Sequence, residues 1–306
     1  MIVDSHQHFW QVGRFEYPWM SPELGVLYRD HLPAHLEPVL NQCGVAKTVL
    51  VQASNSLAET HWLLSLAENY SFIAAVVGWV DLADAGIEQE LEVMTANPKF
   101  KGVRHLVESE PADDWLVQPK VLRGLGALAG YGVSYDLLVH THHLKHARTV
   151  AESCPDLRLV VDHMAKPPIK SGEINEWAQE LKALAAAPNV YCKLSGLVTE
   201  ANLTSWRLED LRPYVERALE YFGPARIMFG SDWPVCLLAA SYDQLLESFD
   251  LLLVGLSETE RSGVFGGNAT EFYRLHPAAT TVEHQADGNH HAGQAAHPGT
   301  PVRSRF

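Results

Sequence analysis

The sequence predicts a (β/α)8 barrel, and three observations support this fold class. Eight short apolar segments rich in β-branched residues recur along residues 1–275. Amphipathic helical patterns lie between them, as expected when every strand is followed by a helix. No glycine-rich phosphate loop follows the first segment, although the alternative fold, a doubly wound open sheet, would require one. We therefore expect a parallel barrel as a single domain.

The predicted strands are almost continuously apolar, as in strands that are covered on both faces. In chain order they are residues 2–8, 47–53, 72–80, 101–105, 133–140, 157–163, 190–195 and 226–232.

Apolar residues at helical spacing predict the helices between these strands. They cover residues 36–43, 87–94, 122–129, 144–151, 174–184, 211–222 and 242–249. Gly44 and Gly223 follow two of these patterns and are expected to end the helices.

The composition changes after residue 275. Residues 276–306 are rich in Gly, Ala, Pro, Thr and His and contain almost no large apolar side chains. Such a segment cannot bury enough surface to offset the entropy of ordering. We expect a flexible tail outside a barrel domain that spans residues 1–275.

Charge and composition exclude several classes of protein. The chain has 37 acidic residues against 23 Lys and Arg, a formal charge of −14 that disfavours binding to nucleic acid or to anionic membranes. No apolar run approaches the ~20 residues of a membrane span, and no signal peptide is evident. The four cysteines lie far apart and are expected to be buried thiols in a reducing cytoplasm. A cytoplasmic enzyme is the expected class; the oligomeric state is open.

The carboxyl ends of barrel strands carry the chemistry in this fold, and here they are unusually polar. His6 and His8 lie on one face of the first strand, roughly 6.5–7 Å apart along the backbone, and could converge on one cation or one substrate atom. Asp232 ends the eighth strand and suits a general base or a metal ligand.

Two further strand ends contribute candidates. Strand parity places one of Asp162 and His163 inside the barrel and the other among the helices, and we expect His163 to face inward. Arg104 is expected at the mouth, bound to a substrate oxygen or carboxylate, because burying a guanidinium among the helices is costly. The alternative for Arg104 is a structural ion pair inside the barrel.

A second set of residues could contact the substrate. The long loop 9–33 is a candidate lid, whose aromatic side chains would cover a sugar ring or, alternatively, fill the barrel rim. Polar side chains at or beyond strand ends could also reach the mouth, although some of them could instead belong to solvated loops. The candidates are Trp10, Trp19, Arg29, His105, His140 and Lys193.

Four motifs together resemble the amidohydrolase superfamily. They are Asp4-Ser5-His6-Gln7-His8, Val161-Asp162-His163, Gly230-Ser231-Asp232-Trp233-Pro234 and Gly267-Asn268-Ala269-Thr270-Glu271-Phe272-Tyr273. With Lys101-Gly102-Val103-Arg104-His105, the pattern is similar to the branch that contains sugar-lactone hydrolases and pyrone-dicarboxylate lactonase.

The resemblance implies hydrolysis of a small sugar lactone, an aldonolactone such as L-fuconolactone. Asp232 would activate water, and His6, His8 and His163 would polarise the carbonyl. One divalent metal ion, Zn²⁺, could bind to His6, His8 and Asp232, without being strictly required. The bridging Lys of binuclear members is not expected here, since Lys101 lies about 10 Å below the end of its strand.

Two alternatives remain open from the sequence. One is a zinc-dependent decarboxylase of an unsaturated carboxylate, a neighbouring branch with similar motifs. The other, from a different class, is a noncatalytic protein that binds a sugar acid.

Overall fold

The computed structural model describes residues 1–275, and its parallel strands form one sheet in the order β1 to β8. The strands are β1 Ile2–Gln7, β2 Val45–Val51, β3 Ile73–Gly78, β4 Phe100–Leu106, β5 Ser134–Leu138, β6 Leu159–Val161, β7 Val190–Leu194 and β8 Ile227–Phe229. Each strand pairs in parallel with the next one along the chain.

The sheet closes through the segment that follows β8. Gln7 forms a parallel bridge with Trp233. The backbone N–H of Asp232 donates to the carbonyl of His6 at 2.8 Å, and that of His8 donates to the carbonyl of Trp233 at 2.7 Å. The predicted (β/α)8 barrel is confirmed, and its closure brings the end of β1 beside Asp232.

Helices surround this sheet. They are α1 Pro33–Cys43, α2 Leu57–Asn69, α3 Ile87–Thr95, α4 Pro119–Gly130, α5 Leu144–Ser153, α6 Asn175–Ala185, α7 Leu197–Glu200, α8 Leu208–Phe222, α9 Tyr242–Leu252, α10 Glu258–Ser262 and α11 Asn268–Phe272. Among the described residues, no helix is long and apolar enough to cross a membrane.

Local signals explain where the helices begin and end. α1 ends at Gly44, whose φ of 69° belongs to the left-handed region that glycine adopts without cost. α2 was not among the helices predicted from apolar spacing. Its start is nevertheless encoded, because Ser56 caps it by accepting a hydrogen bond from the backbone N–H of Glu59 at 3.2 Å.

The barrel interior has an apolar part and a charged part. Val3, Val49, Val77 and Met228 belong to a buried cluster, and Tyr273, which follows α11, packs against it. Asp136, Asp162, Lys193 and Arg104 are also buried inside the barrel. This arrangement differs from the layers of branched aliphatic residues that usually fill such barrels.

The sequence predicted four buried cysteines and a flexible tail. Cys154, Cys192 and Cys236 are buried free thiols, whereas Cys43 is only half-buried. The predicted flexible tail, residues 276–306, lies outside the described residues.

Candidate active site

Three imidazoles and one carboxylate converge at the carboxyl end of the barrel. His8 Nε2 lies 3.1 Å from His6 Nε2 and 3.3 Å from Oδ1 of Asp232. His6 Nε2 lies 3.7 Å and His163 Nε2 lies 3.9 Å from the same oxygen. All four side chains are buried, so their mutual interactions are weakly screened by solvent.

Each imidazole is held through its other ring nitrogen. Nδ1 of His8 lies 2.8 Å from the carbonyl of Val51, which accepts a hydrogen bond from Nδ1–H and orients Nε2 towards the cluster. Nδ1 of His163 lies 2.8 Å from the hydroxyl of Ser195. When that hydroxyl donates, Nε2 of His163 carries the proton and becomes a donor towards the cavity.

His6 is held by three charged neighbours, two cations and one carboxylate. Its Nδ1 lies 3.1 Å from Nζ of Lys193 and 3.3 Å from Oδ1 of Asp162, while its Nε2 lies 3.3 Å from Nη1 of Arg104. These neighbours fix the plane of the ring.

Asp4 ties β1 to the segment after β8. Its carboxylate accepts the backbone N–H of His6 at 3.0 Å and that of Ser231 at 2.9 Å, together with the hydroxyl of Tyr242 at 2.9 Å. Burial raises the pKa of Asp4 to about 6, and these hydrogen bonds oppose the shift. Asp4 therefore positions the backbone on both sides of the imidazole–carboxylate cluster.

The parity argument for Asp162 and His163 is wrong, because β6 ends at Val161 and the chain then changes conformation. His163, Met164, Ala165 and Lys166 all have φ between 51° and 61°, in the left-handed region. This turn lets the side chains of both Asp162 and His163 lie inside the barrel. Left-handed backbone costs roughly 1–2 kcal/mol per non-glycine residue, so other contacts must hold it.

Two such contacts are clear. The indole N–H of Trp177 donates to the carbonyl of Met164 at 2.7 Å. Gly196, itself left-handed with φ 66°, lies against His163, and a Cβ built there would be 2.7 Å from the imidazole. Only glycine leaves room for the ring at this position.

Below the imidazoles, buried ion pairs form a continuous network. Asp162 accepts from Nη1 of Arg104 at 3.1 Å and lies 3.0 Å from Nζ of Lys193. Lys193 also donates to Asp136 at 2.5 Å, and the hydroxyl of Tyr273 donates to the same carboxylate oxygen at 2.8 Å. The network links His6 to the residue that follows α11.

The electrostatics set the charge of each group. Burial would raise the pKa of Asp232, but the adjacent His163, His8 and His6 hold it below the ordinary value. Burial lowers the pKa of His163, with Asp232 and Asp162 opposing, and lowers that of His6 well below the usual range. At neutral pH, Asp232 is therefore an ionised carboxylate beside the neutral imidazoles of His6 and His163.

A cavity of about 310 Å³ opens above this cluster. Its residues are His8, Trp10, Trp19, Leu24, Leu27, Ala53, Arg104, Leu106, Glu108, Leu138, His163, Lys166, Gly196, Thr199, Glu200, Asp232, Val235 and Leu238. The cavity has the size of a small-molecule site, and its apolar side chains are interrupted by a few polar ones.

The aromatic loop is anchored to the β2–α2 connection. The indole N–H of Trp19 donates to the carbonyl of Ala53 at 2.8 Å. Glu59 is fully buried and accepts the backbone N–H groups of Ala53 at 3.1 Å and Ser54 at 2.9 Å. Burial raises the pKa of Glu59 to about 7 against these hydrogen bonds. The loop therefore places Trp10 and Trp19 in the cavity wall, and their contact with a substrate stays a prediction.

Four predicted substrate contacts do not line the cavity. His105 stacks on Trp115 at 3.9 Å and lies 2.7 Å from Glu110. His140 lies half-exposed beside Glu108.

Arg29 and Lys193 are also placed elsewhere. The side chain of Arg29 lines a separate cavity with Trp233. Lys193 does not reach the mouth, because its ammonium is neutralised inside the barrel by Asp136 and Asp162.

Three charged residues of the cavity, Glu108, Lys166 and Glu200, were not predicted from the sequence. All three lie in turns or a short helix after strands, where no periodic pattern marks an inward side chain. Their position directly after predicted strand ends was the available signal.

His6, His8 and Asp232 have the spacing of ligands to a divalent metal ion. The edges of a tetrahedron with zinc-ligand bonds of about 2.1 Å are about 3.4 Å long, and the His6, His8 and Asp232 atoms are separated by 3.1, 3.3 and 3.7 Å. Oδ1 of Asp232 is buried without a hydrogen-bond partner among the described residues. Two imidazoles and a carboxylate suit zinc, with His8 oriented by a backbone carbonyl as metal-ligating histidines commonly are.

Comparison with known proteins identifies relatives of this chain. The profile of the family described as Amidohydrolase matches residues 3–275. An L-fucono-1,5-lactonase of Burkholderia ambifaria is 39% identical over 283 residues, which cover 89% of this chain and 95% of that protein. One of Burkholderia multivorans is 38% identical over 288 residues, covering 89% and 96%. A crystal structure of an amidohydrolase from Burkholderia multivorans with bound zinc matches with a TM-score of 0.86 and 37% identity, covering 90% of this chain and 99% of that one.

Proposed function

Because this chain belongs to the amidohydrolase family, we propose that it hydrolyses the ring ester of a small sugar lactone such as L-fucono-1,5-lactone. The observation that carries the proposal is the position of Asp232, an ionised carboxylate within 3.9 Å of His163 and 3.3 Å of His8 at the floor of the cavity.

The attack uses Asp232 and His163 in different roles. Asp232 takes a proton from a water molecule, and the water oxygen forms a bond to the lactone carbonyl carbon. Nε2–H of His163, held by Ser195, donates to the carbonyl oxygen as negative charge develops there. The neutral state of His163 suits this role, because the donor needs no net charge.

During ring opening, Asp232 gives up the proton that it took from water. The bond between the carbonyl carbon and the ring oxygen breaks, and Asp232 donates its proton to the departing oxygen. The products are a carboxylic acid and a hydroxyl group on one open chain. The acid ionises beside Asp232 and Glu200, and repulsion from these carboxylates favours its release.

His6 and His8 with Asp232 would hold one divalent metal ion, which the sequence analysis expected without a strict requirement. Such an ion, when bound, would polarise the carbonyl and lower the pKa of a bound water molecule. Calorimetric titration of the metal-free protein with zinc should give one binding site per chain. Binding that is unchanged in His8→Ala would contradict this assignment.

The charge of the cavity favours a neutral substrate over a carboxylate. Arg104 is paired with Asp162, and Lys166 with Glu108. Asp232 and Glu200 add negative charge, so no described residue of the lining offers an unpaired cation. In the metal-free site a substrate carboxylate would be repelled, whereas a neutral lactone would not be.

Acid release from a panel of sugar lactones, followed with a pH indicator, tests the proposal. We expect turnover of at least one aldonolactone and no carbon dioxide from unsaturated carboxylates. Binding of sugar acids without turnover of any lactone would instead support the noncatalytic alternative.

A further inference from the structure

Glu108 and Lys166 form an ion pair on one wall of the cavity. Glu108 lies in the turn Val107–Ser109 after β4, and Lys166 ends the left-handed turn after β6. Nζ of Lys166 donates to Oε2 of Glu108, and Nε2 of His140 lies 3.3 Å from the same oxygen. The side chain of Lys166 is 20% exposed and that of Glu108 is 28% exposed, so the pair is partly shielded from solvent.

The pair retains hydrogen-bonding capacity towards the cavity. Within residues 1–275, the contacts of Glu108 use Oε2, which leaves Oε1 as an acceptor. An ammonium has three donors, and Glu108 uses one of those of Lys166. The wall therefore offers a donor and an acceptor side by side, with little net charge.

This chemistry matches hydroxyl groups. A sugar hydroxyl both donates and accepts, so two neighbouring hydroxyls can bond to an ammonium and a carboxylate together. Trp10, Trp19 and Leu24 supply apolar surface to the same cavity, which suits the C–H face of a sugar ring.

The pair is also tied to the reacting centre. The backbone N–H of Lys166 donates to the carbonyl of His163 at 2.8 Å. The turn that carries Lys166 is therefore held in place beside the residue whose imidazole faces the lactone carbonyl.

We propose that Glu108 and Lys166 bind the ring hydroxyls of the substrate and select polyhydroxylated lactones over lactones without hydroxyl groups. This inference rests on the proposed lactonase function and adds the two residues that set its specificity. A site that bonds to substrate hydroxyls discriminates strongly against analogues that lack them, because its own polar groups would be left without partners.

The test compares a sugar 1,5-lactone with δ-valerolactone, which has the same ring and no hydroxyls. We expect the wild-type protein to prefer the sugar lactone by about 10²-fold or more in kcat/KM. Lys166→Met and Glu108→Gln should each lower kcat/KM for the sugar lactone by roughly 10-fold or more, mainly through KM. Both should leave kcat/KM for δ-valerolactone within about 3-fold, as should the control Lys170→Met, an exposed lysine nearby, for both substrates.

The outcomes distinguish the role of the ion pair from the proposed lactonase function. Equal losses on both lactones, or no loss on either, would overturn the role of the pair while leaving the lactonase assignment intact. A wild-type protein without activity on any lactone would overturn the proposed function instead. In that case, calorimetry with the corresponding ring-closed sugar still decides the role of the pair: affinity that is unchanged in both variants contradicts it.

Discussion

Oδ1 of Asp232 lies 3.3 Å from Nε2 of His8, although the two residues are more than two hundred positions apart in the chain. The closure of the barrel between β1 and the segment after β8 produces this contact, through backbone hydrogen bonds of His6, His8, Asp232 and Trp233. The position of Asp232 beside His8 therefore depends on the closure of the whole barrel.

Asp232→Asn should remove the base and lower kcat by about 10²–10⁴-fold, with little change in stability. The amide has nearly the same shape but cannot take a proton from water. Acid release from the sugar lactone measures the effect, and circular dichroism checks the fold. Asp156→Asn, at an exposed position, is the matched control. Full activity in Asp232→Asn would show that another group activates the water.

Gly196→Ala should displace His163 and lower kcat by about 10²-fold, because the new Cβ would lie 2.7 Å from the imidazole. The control is Gly172→Ala. That residue also has a left-handed φ, of 74°, but faces open space. Both variants should lose about 1–2 kcal/mol of unfolding free energy from the left-handed backbone, and only Gly196→Ala should lose activity. Equal kcat values in the two variants would contradict the steric argument.

Lys193→Met should lower the unfolding free energy by about 3–5 kcal/mol, since it leaves Asp136 and Asp162 buried without their shared cation. Urea denaturation measures the effect, with the exposed Lys120→Met as control. Adding Asp136→Asn to Lys193→Met should recover part of the loss. A double variant that is less stable than Lys193→Met would show that the penalty has another origin.

Glu59 should make the stability depend on pH. Its pKa is raised to about 7 in the folded protein, so between about pH 5 and pH 7 the folded state retains a proton that the unfolded chain has released, and it loses that proton as the pH rises to 8. The unfolding free energy should therefore fall as the pH rises, by about 3 kcal/mol relative to Glu59→Gln.

Urea denaturation of the wild-type protein and Glu59→Gln at both pH values measures this difference. Glu152→Gln, at an exposed position, should follow the wild-type profile. A wild-type stability that stays parallel to that of Glu59→Gln across this range would mean that Glu59 is ionised throughout.

The sequence predicted the fold and the family because both are marked by local patterns of residues along the chain. Apolar segments and helical spacing mark β1 to β8 and most helices, and the HxH motif with Asp232 lies at strand ends where the barrel requires it. Parity failed at Asp162 and His163, because a left-handed turn of four residues replaces the strand there.

The substrate-contact predictions were less specific for a physical reason. A lysine such as Lys193 has a long side chain, and only the tertiary structure shows whether a carboxylate neutralises it before it reaches the cavity. Conversely, Glu108 and Lys166 come from different turns, and their proximity depends on how β4 and β6 are placed around the barrel.

The hydrogen bond from Tyr273 to Asp136 connects the last described residues to the buried ion pairs below the imidazoles. Tyr273 binds Asp136, Asp136 pairs with Lys193, and Nζ of Lys193 lies 3.1 Å from Nδ1 of His6. This chain of contacts links Tyr273 to His6. Removing Tyr273 and the residues after it would thus leave the buried carboxylate of Asp136 without one of its donors, and the lysine that pairs with Asp136 also contacts the imidazole of His6. Engineers who trim this enzyme should keep that aromatic residue.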